Sequence, residues 1–280
     1  PMVMLGVEGL VKEGKFALYT AALSLTFIAN FYIGYMVAIF TAAYFFYAYF
    51  TTCQYGPGNF KRFIKRGALF AVFSLLSAAI AAFMLIPAYF SLTLGKFTFS
   101  NPSFAVKAKF VLFDMLPKFM FAAYDTCRPE GLPTLYTGTL TLIMLPLYFT
   151  NNRIDVKKKI MSAVMLLFLF ISMNISTVDL IWHGFQNPNW LNYRYSFIIC
   201  AFMLIMCYET FSKVDGGYTP ASVGKSMLAT IALAVIVDKY GFEYIDTRIT
   251  IWGTLLFAVV YSALSRSTRT GSAGGILSPC

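Results

Sequence analysis

Long apolar runs separated by short basic or aromatic stretches set the pattern of this chain. They cover residues 1–11, 16–30, 35–50, 67–90, 132–150, 160–181, 194–211, 227–241 and 249–264. A membrane-crossing helix needs about 20 mostly apolar residues, so the pattern predicts an all-α membrane protein, a polytopic transmembrane helix bundle of about nine spans with a partial first one. Residues 1–265 then form one transmembrane domain, and 266–280 an unstructured or truncated tail. The run from Phe16 to Phe50 would be about 50 Å long as a single helix, too long for one crossing. It is therefore split at Asn30–Tyr35, where Asn, Tyr and Gly interrupt the apolar residues.

The stretch between Ser91 and Gly131 is too long for a plain connection. Phe104, Ala108, Val111, Leu112, Met115 and Phe119 recur at helical spacing, with Lys107, Lys109, Asp114 and Lys118 off that stripe. Asn101 and Pro102 supply a helix start and Pro117 a stop or kink. The expectation is an amphipathic helix, lying on the outer membrane surface or packed on other protein.

Composition strengthens the class: 59% of the residues are hydrophobic and 12% charged. Soluble domains carry roughly 25% charged residues. The net charge of +10 comes from basic residues grouped between apolar runs, which reads as membrane topology and not as a nucleic-acid surface. With the split at Asn30–Tyr35, one side collects Lys12, Lys15, Lys61, Arg62, Lys65, Arg66, Arg153, Lys157, Lys158, Lys159, Lys213, Lys225, Arg266 and Arg269, most of the 22 basic residues. That side is expected to be cytoplasmic. The five cysteines show neither metal spacing nor paired loop spacing, so no zinc site or structural disulfide is expected. The apolar opening without an initiator Met and the Gly/Ser-rich end suggest an internal piece of a longer protein.

The outer side carries the candidate chemistry. His183 is the single histidine, and Asp179 lies one helical turn before it. The carboxylate can orient the imidazole; equally, the pair can simply satisfy buried polar groups at a helix end. Arg194, flanked by Tyr193 and Tyr195 where a span begins, offers a planar fork to a phosphate at headgroup level, or serves as an interfacial anchor. In the long outer loop Asp114, Asp125, Arg128 and Glu130 are candidates of a weaker kind. A carboxylate there can act as general base or hold a divalent cation, though most such groups are only solvated. No metal site is assigned.

Three stretches, taken together, resemble the YfhO family of bacterial multispan membrane proteins: PMVMLGVEGLVKEGKFALYTAALSLTFIANFYIGYMVAIF, YDTCRPEGLPTLYTGTLTLIMLPLYF and HGFQNPNWLNYRYSF. The resemblance implies a GT-C-like glycosyltransferase that moves a sugar from a polyprenyl-phosphate donor to a cell-envelope polymer such as lipoteichoic acid at the outer face. Asn30, Phe31, Tyr32, Gly34 and Tyr35 match one family motif, and His183, Tyr193, Arg194, Tyr195 and Ser196 another. On this reading Asp125, His183 and Asp179 are catalytic candidates, while Arg194, Tyr193, Tyr195, Asn30 and Tyr32 bind the donor. The principal carboxylate of the architecture usually lies in a first outer loop that has no counterpart here. Implied partners are membrane lipid, the lipid-linked donor and a cell-wall polymer acceptor, in a multi-pass bacterial membrane protein with its active face outside. The alternatives are a transporter or flippase for lipid-linked sugars and a non-catalytic scaffold. Transport favours midplane sites in broken helices or repeats, and no internal repeat is evident.

Overall fold

The computed structural model describes residues 1–53, 58–95, 103–123, 131–188, 192–213 and 219–271. In chain order the helices are α1 (Met2–Lys12), α2 (Ala17–Ala29), α3 (Phe31–Thr52), α4 (Asn59–Ile80), α5 (Ala82–Gly95), a 3-10 helix (Leu112–Phe119), α6 (Thr139–Thr150), α7 (Val156–Asn174), α8 (Ser176–Trp182), α9 (Ser196–Ser212), α10 (Pro220–Tyr240) and α11 (Thr247–Gly271). Among the described residues no strand forms, so the all-α membrane bundle is the fold. By length and composition, α3, α4 and α10 can each cross a membrane.

The expected interruption near Asn30 is present, and it is a single residue wide. Asn30 is extended (φ −159°, ψ 106°), and its Oδ1 accepts from Tyr32 N at 3.1 Å and Ile33 N at 3.0 Å, capping α3. Phe31 to Tyr35 are therefore helical rather than loop. Gly34 is needed at this junction because a Cβ there would lie 2.7 Å from Phe27 Cδ1 and 3.0 Å from Phe27 Cα.

Two other runs read as single spans are broken. Residues 67–90 divide at Ala81, and α4 starts earlier, at Asn59, taking Lys61 to Arg66 into its first turns. Residues 160–181 divide at Ile175. The break frees backbone groups that the 103–109 segment then satisfies.

The amphipathic helix expected over Phe104–Phe119 requires correction. Only Leu112–Phe119 is helical, as the 3-10 helix, while Ser103–Lys109 is extended and Ala108 pairs antiparallel with Ile175. Lys109 N donates to Asn174 O at 2.8 Å, Ser176 N to Lys107 O at 3.0 Å, and Ser176 Oγ to Ala105 O at 2.7 Å. Bonds to the gap between α7 and α8 replace the intrahelical ones that a helix would have made. Asn101 and Pro102 lie outside the described residues.

The chain divides into two compact units. The first is Pro1–Lys109 with Ile160–Asn189, the second Phe110–Lys159 with Trp190–Cys280. In the first, α1 packs on α2, α3 and α4, and α3 meets α8. Val7, Leu10, Tyr19, Leu23 and Met36 are buried in it. In the second, α6 packs on α9, α10 and α11 around Ile143, Leu147, Cys207, Val223 and Ala258. Lys118 is buried there with its ammonium 4.5 Å from the centre of the Tyr244 ring, a cation–π contact.

Apolar side chains on the outside of α4, among them Val72, Leu75 and Ile80, are exposed. Only 6% of its apolar window is buried. A helix so apolar on its open side presents a surface suited to lipid or to another apolar helix.

Candidate functional site

In the first unit, α8 gathers a charged array around a buried carboxylate. Asp179, 1% exposed, sits in the first turn of this seven-residue helix. The extended 103–109 segment delivers Lys109, whose Nζ donates to Asp179 Oδ2 at 2.6 Å. His183 follows as the C-cap of α8, and its Nδ1 lies 3.0 Å from the backbone oxygen of Asp179 and 3.7 Å from Oδ1. A carbonyl only accepts, so Nδ1 carries the proton and, in the neutral ring, Nε2 carries the lone pair.

The turn beyond His183 is fixed by backbone. Gly184 (φ +66°) and Phe185 (φ +61°) are both left-handed, and Phe185 N closes on Leu180 O at 2.8 Å. The first turns of α3 face this end of α8. Tyr35 Oη donates to Ile181 O at 2.8 Å, and the Tyr32 ring lies 6.4 Å from the imidazole. Asp179, His183 and Tyr32 are thus brought together, while Oδ1 of the nearby Asn30 is committed to capping.

In the second unit, residues 192–195 form a turn ahead of α9. Tyr193 holds a left-handed backbone (φ +57°), which costs a bulky residue roughly 1–2 kcal/mol and persists only where surroundings enforce it. Its ring is buried edge-to-face on Phe110, with centroids 5.7 Å apart at 87°. Ser196 N donates to Tyr193 O at 2.9 Å, and Tyr195 is fully buried as the N-cap residue of α9. Arg194, half-buried between these two anchored tyrosines, is held near the start of α9, where the helix dipole favours an anion.

Asp125, Arg128 and Glu130 lie outside the described residues. Asp114 opens the 3-10 helix, and its carbonyl accepts from Tyr244 Oη at 2.5 Å. Among the described residues no cluster of three His, Cys, Asp or Glu side chains is placed to hold a metal ion. Lys109 was not among the residues singled out in the sequence. The signal that points to it is Asp179 itself, because a carboxylate in an apolar run calls for a cation.

The profile described as "Bacterial membrane protein YfhO" matches residues 1–271. One curated relative is the "Uncharacterized protein YfhO" of Bacillus subtilis (strain 168), 25% identical over 252 residues, which are 90% of this chain and 26% of that protein. The chain thus spans about a quarter of the length of that relative. No solved structure matches. With a family profile running through nearly all of a helical, apolar chain, the chain belongs to the YfhO family of bacterial membrane proteins.

Proposed function

We propose that the chain is part of a GT-C-like membrane glycosyltransferase that passes a sugar from a polyprenyl-phosphate donor to a cell-envelope polymer such as lipoteichoic acid, at the extracytoplasmic face. The observation that carries the reading is the buried Asp179–His183 pair, met by Lys109, beside Tyr32 and Tyr35. Ionisable groups in a membrane protein are costly and are kept where they contact substrate or carry protons.

In the proposed transfer, an acceptor hydroxyl gives up its proton to a base, and its oxygen bonds to the anomeric carbon. The bond from that carbon to the phosphate oxygen breaks, and the lipid phosphate leaves with the electron pair. Asp125 and His183 contact the acceptor or the sugar, His183 by a movement that uncovers its imidazole, which is enclosed here. Asp179, tied to Lys109, holds the His183 turn. Arg194 binds the donor phosphate, with Tyr193 and Tyr195 fixing its backbone.

The test is the dependence of transfer on donor concentration in purified full-length variants matched for folded protein. A charged hydrogen bond to phosphate is worth about 1.5–3 kcal/mol, so Arg194→Ala weakens donor use roughly ten- to a hundredfold. Arg194→Lys keeps the charge, loses the planar fork and recovers only part. Unchanged donor dependence in Arg194→Ala would return this residue to membrane anchoring.

Orientation is tested separately. Cys53 is a poor reporter because it is buried, whereas Lys61 is exposed. With Lys61→Cys as the sole cysteine, a membrane-impermeant thiol reagent is expected to label only permeabilised cells, while a protein whose sole cysteine is Cys127 is labelled on intact ones. The opposite pattern inverts the topology and places the His183 end inside.

A further inference from the structure

At the end of the first unit away from His183, α1, α3 and α4 enclose basic space. A cavity of about 370 Å³ is lined by Val11, Lys12, Thr52, Cys53, Arg62 and Arg66. A second, of about 280 Å³, shares Arg62 and Arg66 and adds Gly58, Lys61 and Lys65. The four cations of α4 recur at spacings of one and four residues, so they form two adjacent rows on one side of its first turns.

Two of the nearby lysines already have anions. Lys12 pairs with Glu8 at 2.7 Å and Lys15 with Glu13 at 2.5 Å. Among the described residues no ion pair involves Lys61, Arg62, Lys65 or Arg66. Arg66 is held across the turn between α1 and α2, so close that a Cβ on Gly14 would collide with its guanidinium. Gly14 also has φ +80°, which favours glycine independently. The arrangement is an open recess in which positive charge is concentrated.

Exposed apolar side chains adjoin these cations. Phe60 and Ile64 are 77% and 53% exposed, and α4 continues into its open apolar side. Helix α3 begins at the Tyr32 end and finishes at this recess; its 22 residues rise about 33 Å, the thickness of a bilayer core. The recess therefore lies at the membrane surface opposite the Tyr32 and His183 end.

We propose that this recess binds the phosphate headgroup of an anionic phospholipid, with Arg62 and Arg66 as bidentate donors, Lys61 and Lys65 as further charges, and the acyl chains lying along Phe60, Ile64 and the open side of α4. Guanidinium pairs suit phosphate oxygens, and basic pockets between membrane helices take lipid headgroups. The neighbouring apolar side chains favour a lipid over free phosphate.

The experiment is lipid binding by purified full-length protein in neutral detergent, counted by native mass spectrometry during titration with phosphatidylglycerol. Phosphatidylcholine and inorganic phosphate serve as comparison arms. Arg62→Gln with Arg66→Gln is expected to weaken phosphatidylglycerol binding about ten- to a hundredfold. Arg153→Gln with Lys157→Gln removes the same charge elsewhere on the basic side and is expected to change it less than about threefold. Arg62→Lys with Arg66→Lys falls between. Equal losses in the two Gln pairs would reduce the recess to general surface attraction and overturn the proposal. Displacement of the lipid by inorganic phosphate at equal phosphate concentration would overturn the lipid assignment.

Discussion

Asp179→Ala lowers the stability of the full-length protein by about 1.5–3 kcal/mol, the range for losing a hydrogen bond to a charged group. Asp179 is buried, whereas Lys109, 24% exposed at its side chain and 2.6 Å away, keeps some access to water, which limits the loss. Asp179→Asn keeps the shape and an acceptor oxygen and is expected to cost less. Combining Lys109→Met with Asp179→Leu removes both charges together and recovers most of the loss, since apolar replacement of a whole buried pair is often near neutral. Thermal unfolding in a fixed detergent, run as a double-mutant cycle, measures the coupling. Simple addition of the two single losses would mean that Lys109 and Asp179 do not support one another. Transfer activity adds a second readout: the double variant should fold yet transfer poorly if the array also positions His183.

The second large effect is steric. A Cβ on Gly6 would stand 2.5 Å from Tyr19 Cα and 2.6 Å from Tyr19 N, so the obstacle is backbone and cannot rotate away. Gly6→Ala is expected to cost about 1–3 kcal/mol, and Gly6→Leu more, because α1 must lift from α2. Tyr19 passes the displacement on through its Oη, 2.6 Å from Ser74 Oγ, and its ring, stacked on Phe70 at 5.4 Å. Gly9 is the control on the same helix: its Cβ would meet nothing closer than Lys15 O at 3.9 Å. Gly9→Ala is expected to be neutral or slightly stabilising, since Ala is favoured over Gly in a helix by about 1 kcal/mol. Equal effects at the two positions in thermal unfolding would remove the close-approach argument.

The apolar runs gave away the membrane class and most helices because the signal is local and repeated. The interruption at Asn30 was legible for two reasons: length forbade one helix, and Asn is a good capping residue. The stretch after Phe104 misled for an equally physical reason. Its apolar stripe has helical period, yet its amides find acceptors at Asn174 and its Lys109 ammonium finds Asp179, some 65 and 70 residues along the chain. No window over Phe104–Phe119 contains either partner. The break at Ala81 was hidden in the same way, since it carries neither Pro nor Gly and sits inside continuous apolar sequence, whereas the break at Ile175 had a polar signal in Asn174, Ser176 and Thr177. Asp179 and His183 were legible as a pair four residues apart, whereas the left-handed backbone of Tyr193 follows from packing on Phe110 and leaves no mark in residue type.

Hydroxyl groups recur along the apolar helices, and many close on their own helix. Thr20 donates to Phe16 O, Ser24 to Thr20 O, Thr51 to Tyr47 O, Ser74 to Phe70 O, Ser172 to Phe168 O and Thr210 to Met206 O, each one turn back. A hydroxyl bonded in this way needs no neighbour in order to be tolerated in hydrocarbon. During biogenesis such a segment can leave the translocation machinery into lipid as a finished, outwardly apolar rod before any other segment has arrived. The order in which helices reach the bilayer is thereby uncoupled from the order in which they later find one another.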